Sequence, residues 1–346
     1  MFDAVKTLVI RSLFGAPTSV LPVFLGPPRM EEGHRQDIQH HWFCRLSEVL
    51  APEQAPPREV IPEVRRVQAE VGGALGGRMQ SGVRVHHREM ALRGRTLDAW
   101  VYTPELQSGA ALVFYHGGGF VLGSNRTHGA ACARLASRVG CVVIAVDYRL
   151  APEHPFPAAV EDAVDAYDWV VGRASDFGVE PSRVGVAGDS AGGNLAAVVV
   201  NTHVAQGLRP PAMQLLVYPV TDLSRESASV KRFATGHFLT RQRMRWFNDH
   251  YAPERGMRED ERASPLLAQE LSGASPAVVV TAGFDILRDE GRAYAWRLKD
   301  AGVEVEVLHQ PELIHGFFNL AGIYPAAARA FDACSARTRA MLDRVR

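Results

Sequence analysis

The sequence predicts an α/β fold with a mostly parallel sheet and helices on both faces. Two observations carry that reading. Short, largely apolar runs recur along the chain, among them Ala111–Tyr115 (ALVFY) and Cys141–Val146 (CVVIAV). Strands buried on both faces read this way, whereas half-solvated antiparallel strands alternate apolar with polar residues. Segments of helical length separate the runs, which is the pattern of a sheet wound from strand–helix–strand units.

The first 75 residues differ from the rest. Phe2, Val5, Leu8, Val9 and Leu13 recur at helical spacing, so Met1–Phe14 reads as an amphipathic helix packed on its own protein. A Pro-punctuated stretch, Pro17–Pro28, follows, then helical regions over about 37–50 and 61–75. Gly72, Gly73, Gly76 and Gly77 read as a linker. The chain thus divides into an N-terminal helical segment, 1–75, and a main domain, 76–346.

From about residue 83 strands and helices alternate. Val85–Leu92 and Thr96–Tyr102 flank Arg93-Gly94-Arg95, a hairpin that adds an antiparallel edge. Ala111–Tyr115 is a buried strand, followed by a Gly-rich loop and a helix over His128–Val139. Cys141–Val146 is the next strand and Ala158–Gly172 the next helix. A short strand, Arg183–Ala187, precedes a helix from Ser190 to Gln206. After strand Met213–Tyr218 comes a polar, irregular stretch with a helix near Arg241–Tyr251. Strand Ala277–Ala282, helix Glu290–Ala301, strand Val303–Leu308 and a helix from Pro325 complete the order.

Composition excludes several classes of function. Hydrophobic residues make up 47% and charged residues 22% of the 346, which describes a folded chain with a sizeable core. The 38 Lys+Arg balance 38 Asp+Glu, so there is no basic field for a phosphate backbone, and no nucleic-acid-binding motif occurs. Cys44, Cys132, Cys141 and Cys334 form no CxxC or zinc spacing and read as buried thiols in a reducing compartment. No stretch approaches the roughly 20 apolar residues of a spanning helix, and Met1–Phe14 carries Asp3, Lys6 and Arg11, unlike a secretion signal. A cytoplasmic protein without stable membrane insertion is expected.

Ligands in such sheets bind at the carboxyl ends of the strands, and three loops there carry unusual residues. Gly188-Asp189-Ser190-Ala191-Gly192 is a GxSxG pattern between a strand and a helix. A sharp turn at that junction strains the serine backbone, exposes its Oγ and sets it at a helix N-terminus. His116-Gly117-Gly118-Gly119 follows the ALVFY strand; consecutive glycines let backbone N–H groups face a pocket, as an oxyanion hole requires. A phosphate cradle is a poor reading, because no GxGxxG or GKS/T pattern accompanies it. An acid and a histidine must then follow the serine in chain order. Asp285 lies just past strand Ala277–Ala282, whereas Asp289 and Glu290 fall in the next helix's first turn, where they suit the helix dipole. His315 lies in the loop after strand Val303–Leu308 and is favoured over His309, which continues the strand.

Together these motifs resemble the hormone-sensitive-lipase group (bacterial family IV type) of α/β-hydrolase esterases. The residues concerned are Tyr115-His116-Gly117-Gly118-Gly119-Phe120, Asp147-Tyr148-Arg149-Leu150-Ala151-Pro152-Glu153, Gly188-Asp189-Ser190-Ala191-Gly192-Gly193-Asn194, the Asp285 loop and His315-Gly316-Phe317. The resemblance runs from about residue 85 to the C-terminus; Ile286 departs from it, standing where the family usually has proline. It implies an α/β-hydrolase fold with an eight-stranded core and a helical cap, here 1–75 and an insert at about 222–262. It implies a Ser190–His315–Asp285 triad, oxyanion donors at Gly118, Gly119 and Ala191, and an orienting role for His116 with Gly117. Phe233, Phe238, Met244, Trp246 and Phe247 in the insert are expected as cap core, some of them also lining the acyl pocket. The expected activity is hydrolysis of short-to-medium acyl carboxylic esters by a monomer or homodimer, with no cofactor and no metal. A true lipase, or a thioesterase, amidase or lactonase, fits the same triad. A non-catalytic receptor on this fold, like the plant gibberellin receptors, is disfavoured because all three triad residues are present.

Overall fold

A computed structural model describes residues 27–50 and 56–345 of the chain. The helix expected over Met1–Phe14, and nearly all of the Pro17–Pro28 stretch, lie outside the described residues.

The core is one eight-stranded sheet. Strands β1 (Val83–Leu92) and β2 (Arg95–Pro104) form the antiparallel hairpin, turning at Arg93-Gly94, where Gly94 takes a φ of 74°. The remaining strands are β3 (Ala111–Tyr115), β4 (Val142–Asp147), β5 (Val184–Asp189), β6 (Gln214–Val217), β7 (Ala277–Phe284) and β8 (Val305–Ile314). Their order across the sheet is β8-β7-β6-β5-β3-β4-β2-β1, and β3 to β8 are mutually parallel. Every residue of β3, β5 and β7 is buried, which is why these segments lack polar alternation.

The strand order also fixes the helix layers. The step from β3 to β4 through α3 (Asn125–Val139) moves toward one edge of the sheet. The steps through α4 (Ala158–Val171), α5 (Ala191–Ala205) and α9 (Arg288–Asp300) move toward the other. Right-handed crossovers then place α3 on the face opposite to α4, α5 and α9. The C-terminal helix α10 (Pro325–Arg344) packs against α3, and α4 packs against α5. The chain reverses direction at β3, so the loops after β3 and β5 open side by side at a switch point.

Two sequence expectations need correction in this region. Helix α3 begins at Asn125, three residues earlier than expected, because Ser124 and Thr127 form a reciprocal capping box. Gly72 and Gly73 are not a linker. Helix α2 (Ile61–Leu75) runs through both and lies close on α3, whereas Gly76 and Gly77 follow it in the connection to β1. A Cβ at Gly72 would meet Thr127 at 3.2 Å, and one at Gly76 would meet the Ala130 Cβ at 3.1 Å. The missing side chains let two helices approach, and the conformational cost of glycine is offset by that packing.

Helix α1 (Ile38–Leu50) starts on Asp37, whose carboxylate accepts the N–H groups of Gln39 and His40. Its buried Phe43 meets the Phe238 ring edge-on at 5.0 Å. The stretch between β6 and β7 holds α6 (Ala228–Arg232), α7 (Arg241–Tyr251) and α8 (Arg255–Glu259). All four cysteines are buried and free, and burial pushes the Cys44, Cys141 and Cys334 thiols up to about 12.

Candidate active site

Strand β5 ends at Asp189 and α5 begins at Ala191, so Ser190 alone makes the turn. Its φ of 56° lies in the left-handed region, a strained state for any residue with a Cβ. The flanking glycines are sterically required. A Cβ at Gly188 would sit 2.2 Å from the Gly192 carbonyl oxygen, and one at Gly192 would sit 1.8 Å from that of Tyr115. The turn is held by Ser190 N–H donating to Val217 and by Val220 N–H donating back to Ser190.

Asp285 and His315 reach Ser190 through strand register. Strands β7 and β8 pair in parallel, with Ile314 opposite Phe284, so the residues that follow both strands stand side by side. β8 continues six residues past its expected end, through an irregularity between Gln310 and Ile314. Gly283 is needed there, since a Cβ would lie 2.0 Å from the Pro311 carbonyl oxygen. The result is a hydrogen-bonded chain: His315 Nε2 to Ser190 Oγ at 3.0 Å and His315 Nδ1 to Asp285 Oδ2 at 2.9 Å. The other Asp285 oxygen accepts the Leu287 N–H, which fixes the carboxylate plane. All three residues are buried. His309 stays in mid-strand against Thr281 Oγ1, outside this group.

The glycine loop after β3 lies beside the turn. Gly118 and Gly119 take φ values of 125° and 62°, and a Cβ at Gly118 would collide with the Leu122 carbonyl. Among the described residues, the N–H groups of Gly118, Gly119 and Ala191 have no protein acceptor. Gly117 N–H instead donates to Asp189 Oδ1 at 2.9 Å. His116 does not touch Ser190. Its ring stacks on Tyr148 at 4.3 Å, and burial pushes its pKa down to about 3, so it is neutral.

Sequence reasoning passed over several neighbours. Asp189 is the unspecified second position of GxSxG, yet it is buried and lies 3.2 Å from His128 Nε2. Burial alone would raise its pKa; the His128 ring, the Gly117 N–H and His315 outweigh that and hold it below the ordinary value. Tyr218, also at positive φ, sets its ring 4.5 Å from that of His315. Glu290, expected as a helix-dipole partner, is buried and accepts the Thr221 and Asp222 N–H groups. Of the insert aromatics, Phe247 lies directly on Gly119, whose Cβ would fall 2.2 Å from the ring. Phe238, with φ 67°, rests on Gly316, and Trp246 Nε1 donates to the Pro56 carbonyl. Asp189 and Tyr218 are marked by tertiary contacts alone, apart from the position of Asp189 inside the motif; the insert aromatics were expected in the cap, and the contacts add which of them lies on the glycine loop.

Among the described residues no cluster of three or more His, Cys, Asp or Glu has the arrangement of a metal site, and no helix is long and apolar enough to cross a membrane.

A parallel sheet with a serine at its sharpest strand-to-helix turn, within reach of a histidine and a buried carboxylate, defines an α/β-hydrolase. The chain belongs to that family, in its hormone-sensitive-lipase group of esterases, and is a carboxylic ester hydrolase: a family model described as alpha/beta hydrolase fold matches residues 112–319. It is 45% identical over 240 residues to the carboxylic ester hydrolase LipN of Mycobacterium tuberculosis, a match covering 68% of this chain and 64% of that protein. It is 39% identical to the ethyl acetate hydrolase of Pseudomonas putida, over 77% of this chain and 85% of that one. Among solved structures, an ester hydrolase from the metagenome of Lake Arreo, complexed with a bipyridine phosphonate derivative, superposes with a TM-score of 0.81. It is 40% identical, and the match covers 86% of this chain and 96% of that one.

Proposed function

We propose that the chain hydrolyses short-to-medium acyl carboxylic esters through an acyl-enzyme on Ser190. The observation that carries this reading is the continuous Ser190–His315–Asp285 hydrogen-bond chain, with Nδ1 committed to the carboxylate and Nε2 facing Oγ. Ser190 Oγ attacks the ester carbonyl carbon as its proton passes to His315 Nε2. Asp285 holds the tautomer and stabilises the imidazolium. The tetrahedral oxyanion is met by the N–H groups of Gly118, Gly119 and Ala191, each worth about 3 kcal/mol in the transition state. The C–O bond to the leaving alcohol then breaks, and the alcohol takes its proton from Nε2. Water, deprotonated by the same nitrogen, cleaves the acyl-enzyme and restores the serine. The residues before 76 and the 222–262 insert act as the cap that sets the substrate pocket.

The name of the Pseudomonas relative supports a short acyl group. The test is hydrolysis of chromogenic esters with acyl chains of two to sixteen carbons. A maximum at short or medium chains, a stoichiometric burst, and loss of turnover by at least about 10³-fold in Ser190→Ala are expected. A maximum at long chains with interfacial activation would instead make this a lipase. Full turnover in Ser190→Ala would remove the triad assignment.

A further inference from the structure

The motif Asp147-Tyr148-Arg149-Leu150-Ala151-Pro152-Glu153 takes no part in the chemistry above, yet it grips the glycine loop. Tyr148 Oη donates to the His116 carbonyl at 2.7 Å, and Ala151 N–H donates to the Phe120 carbonyl at 2.9 Å. A second grip comes from helix α2. Arg65 donates from Nε to the Val121 carbonyl at 2.8 Å and from Nη2 to the Ala151 carbonyl at 2.7 Å. Its two terminal nitrogens also meet both Glu153 oxygens, at 2.7 and 2.8 Å. One turn on, Gln68 Oε1 accepts the Gly123 N–H at 3.0 Å. The planar fork of one guanidinium therefore ties the loop that follows Gly118 and Gly119 to the motif, and both to α2.

We propose that Arg65 is a positioning residue for the oxyanion hole, so that helix α2 builds the hole as well as flanking it. Gly118 and Gly119 take positive φ freely, so the loop has wide backbone freedom there, and Phe120 at φ 62° is strained; both need outside contacts to hold one conformation. Val121 and Leu122 N–H both close back on the Gly118 carbonyl, so a displaced Val121 carries Gly118 with it. An oxyanion donor displaced by a few tenths of an ångström loses most in the transition state, where the charge is largest.

This inference rests on the proposed triad and hole, and the experiment separates the two. Wild type, Ser190→Ala, Arg65→Ala, Arg65→Lys and Arg66→Ala are compared on a short-chain ester, with Ki for a trifluoromethyl ketone that adds to the serine. Arg66 shares the helix and, among the described residues, pairs with Glu63 and Glu70 on its surface. The expected result for Arg65→Ala is a kcat roughly tenfold or more below wild type, KM within about twofold, and Ki raised in parallel with kcat. Arg65→Lys should recover part of the loss, and Arg66→Ala should match wild type. If Arg65→Ala does not fold, Arg65→Lys and Gln68→Met decide, with smaller losses of the same pattern expected. Unchanged kcat in these variants, or a rise confined to KM, overturns the proposal. An active Ser190→Ala overturns the triad reading instead.

Discussion

The Asp189 carboxylate accepts the Gly117 N–H at 2.9 Å, tying the residue before Ser190 to the first glycine of the neighbouring loop. The contact is close enough that Gly117 has no room for a side chain: a Cβ would lie 2.6 Å from Asp189 Oδ2. One buried carboxylate thus sets the spacing between the Ser190 turn and the glycine loop.

Replacing that carboxylate should therefore cost both stability and rate. Asp189→Ala leaves the Gly117 N–H buried without its acceptor, a penalty of about 1–3 kcal/mol. The glycine loop also loosens, so kcat should fall more than KM changes. Asp189→Asn keeps an acceptor oxygen and should recover much of the stability. Urea unfolding beside steady-state kinetics measures both; equal stability in Asp189→Ala and wild type would show the contact to be idle.

Phe247 should shape the acyl pocket. Its ring fills the space beside Gly119, and Tyr251, one turn on, stacks on Phe120 at 3.7 Å. Phe247→Ala should shift the chain-length optimum upward. The eight-carbon to two-carbon ratio of kcat/KM should rise roughly tenfold or more, because a packed methylene in an apolar pocket is worth about 1–3 kcal/mol. An unaltered profile would confine Phe247 to packing within the insert.

Stability should depend on pH through Glu290. Burial pushes its carboxyl up from 4.5 to about 8, against the opposing pull of the Thr221 and Asp222 N–H groups. Between those two values the folded chain holds a proton that the unfolded chain has released. The contribution is therefore complete below about pH 4.5 and is lost as pH rises through about 8, at up to ~1.4 kcal/mol per pH unit. Glu290→Gln cannot titrate, so its unfolding free energy should fall less steeply than wild type between about pH 5 and 8. Parallel curves for the two proteins would count against a protonated Glu290.

Much of this site was legible in the sequence because its signals are local. A strand buried on both faces must be apolar throughout, so ALVFY and CVVIAV were readable as β3 and β4. The turn at Ser190 needs glycine on both sides for steric reasons that involve only nearby backbone. Where a residue acts through distant partners the sequence was mute or misleading. Gly72 and Gly73 have the composition of a linker, but their place is set by Thr127 and the Arg126 carbonyl across a helix contact. Glu290 stands where a helix-dipole partner belongs, and only the fold shows it capping the turn after β6.

The sequence by itself determined the α/β class, the GxSxG turn and the glycine loop, since each depends on residues within a few positions of one another, and it displays the order of Ser190, Asp285 and His315 along the chain. Only the tertiary structure decided that Asp285 and His315 meet Ser190, through the parallel register of β7 and β8. It alone tied Asp189, Arg65 and Phe247 to the glycine loop. Side-chain period and turn chemistry are encoded locally. Which loops share one end of the sheet depends on strand order, and that is settled by burial over the whole chain.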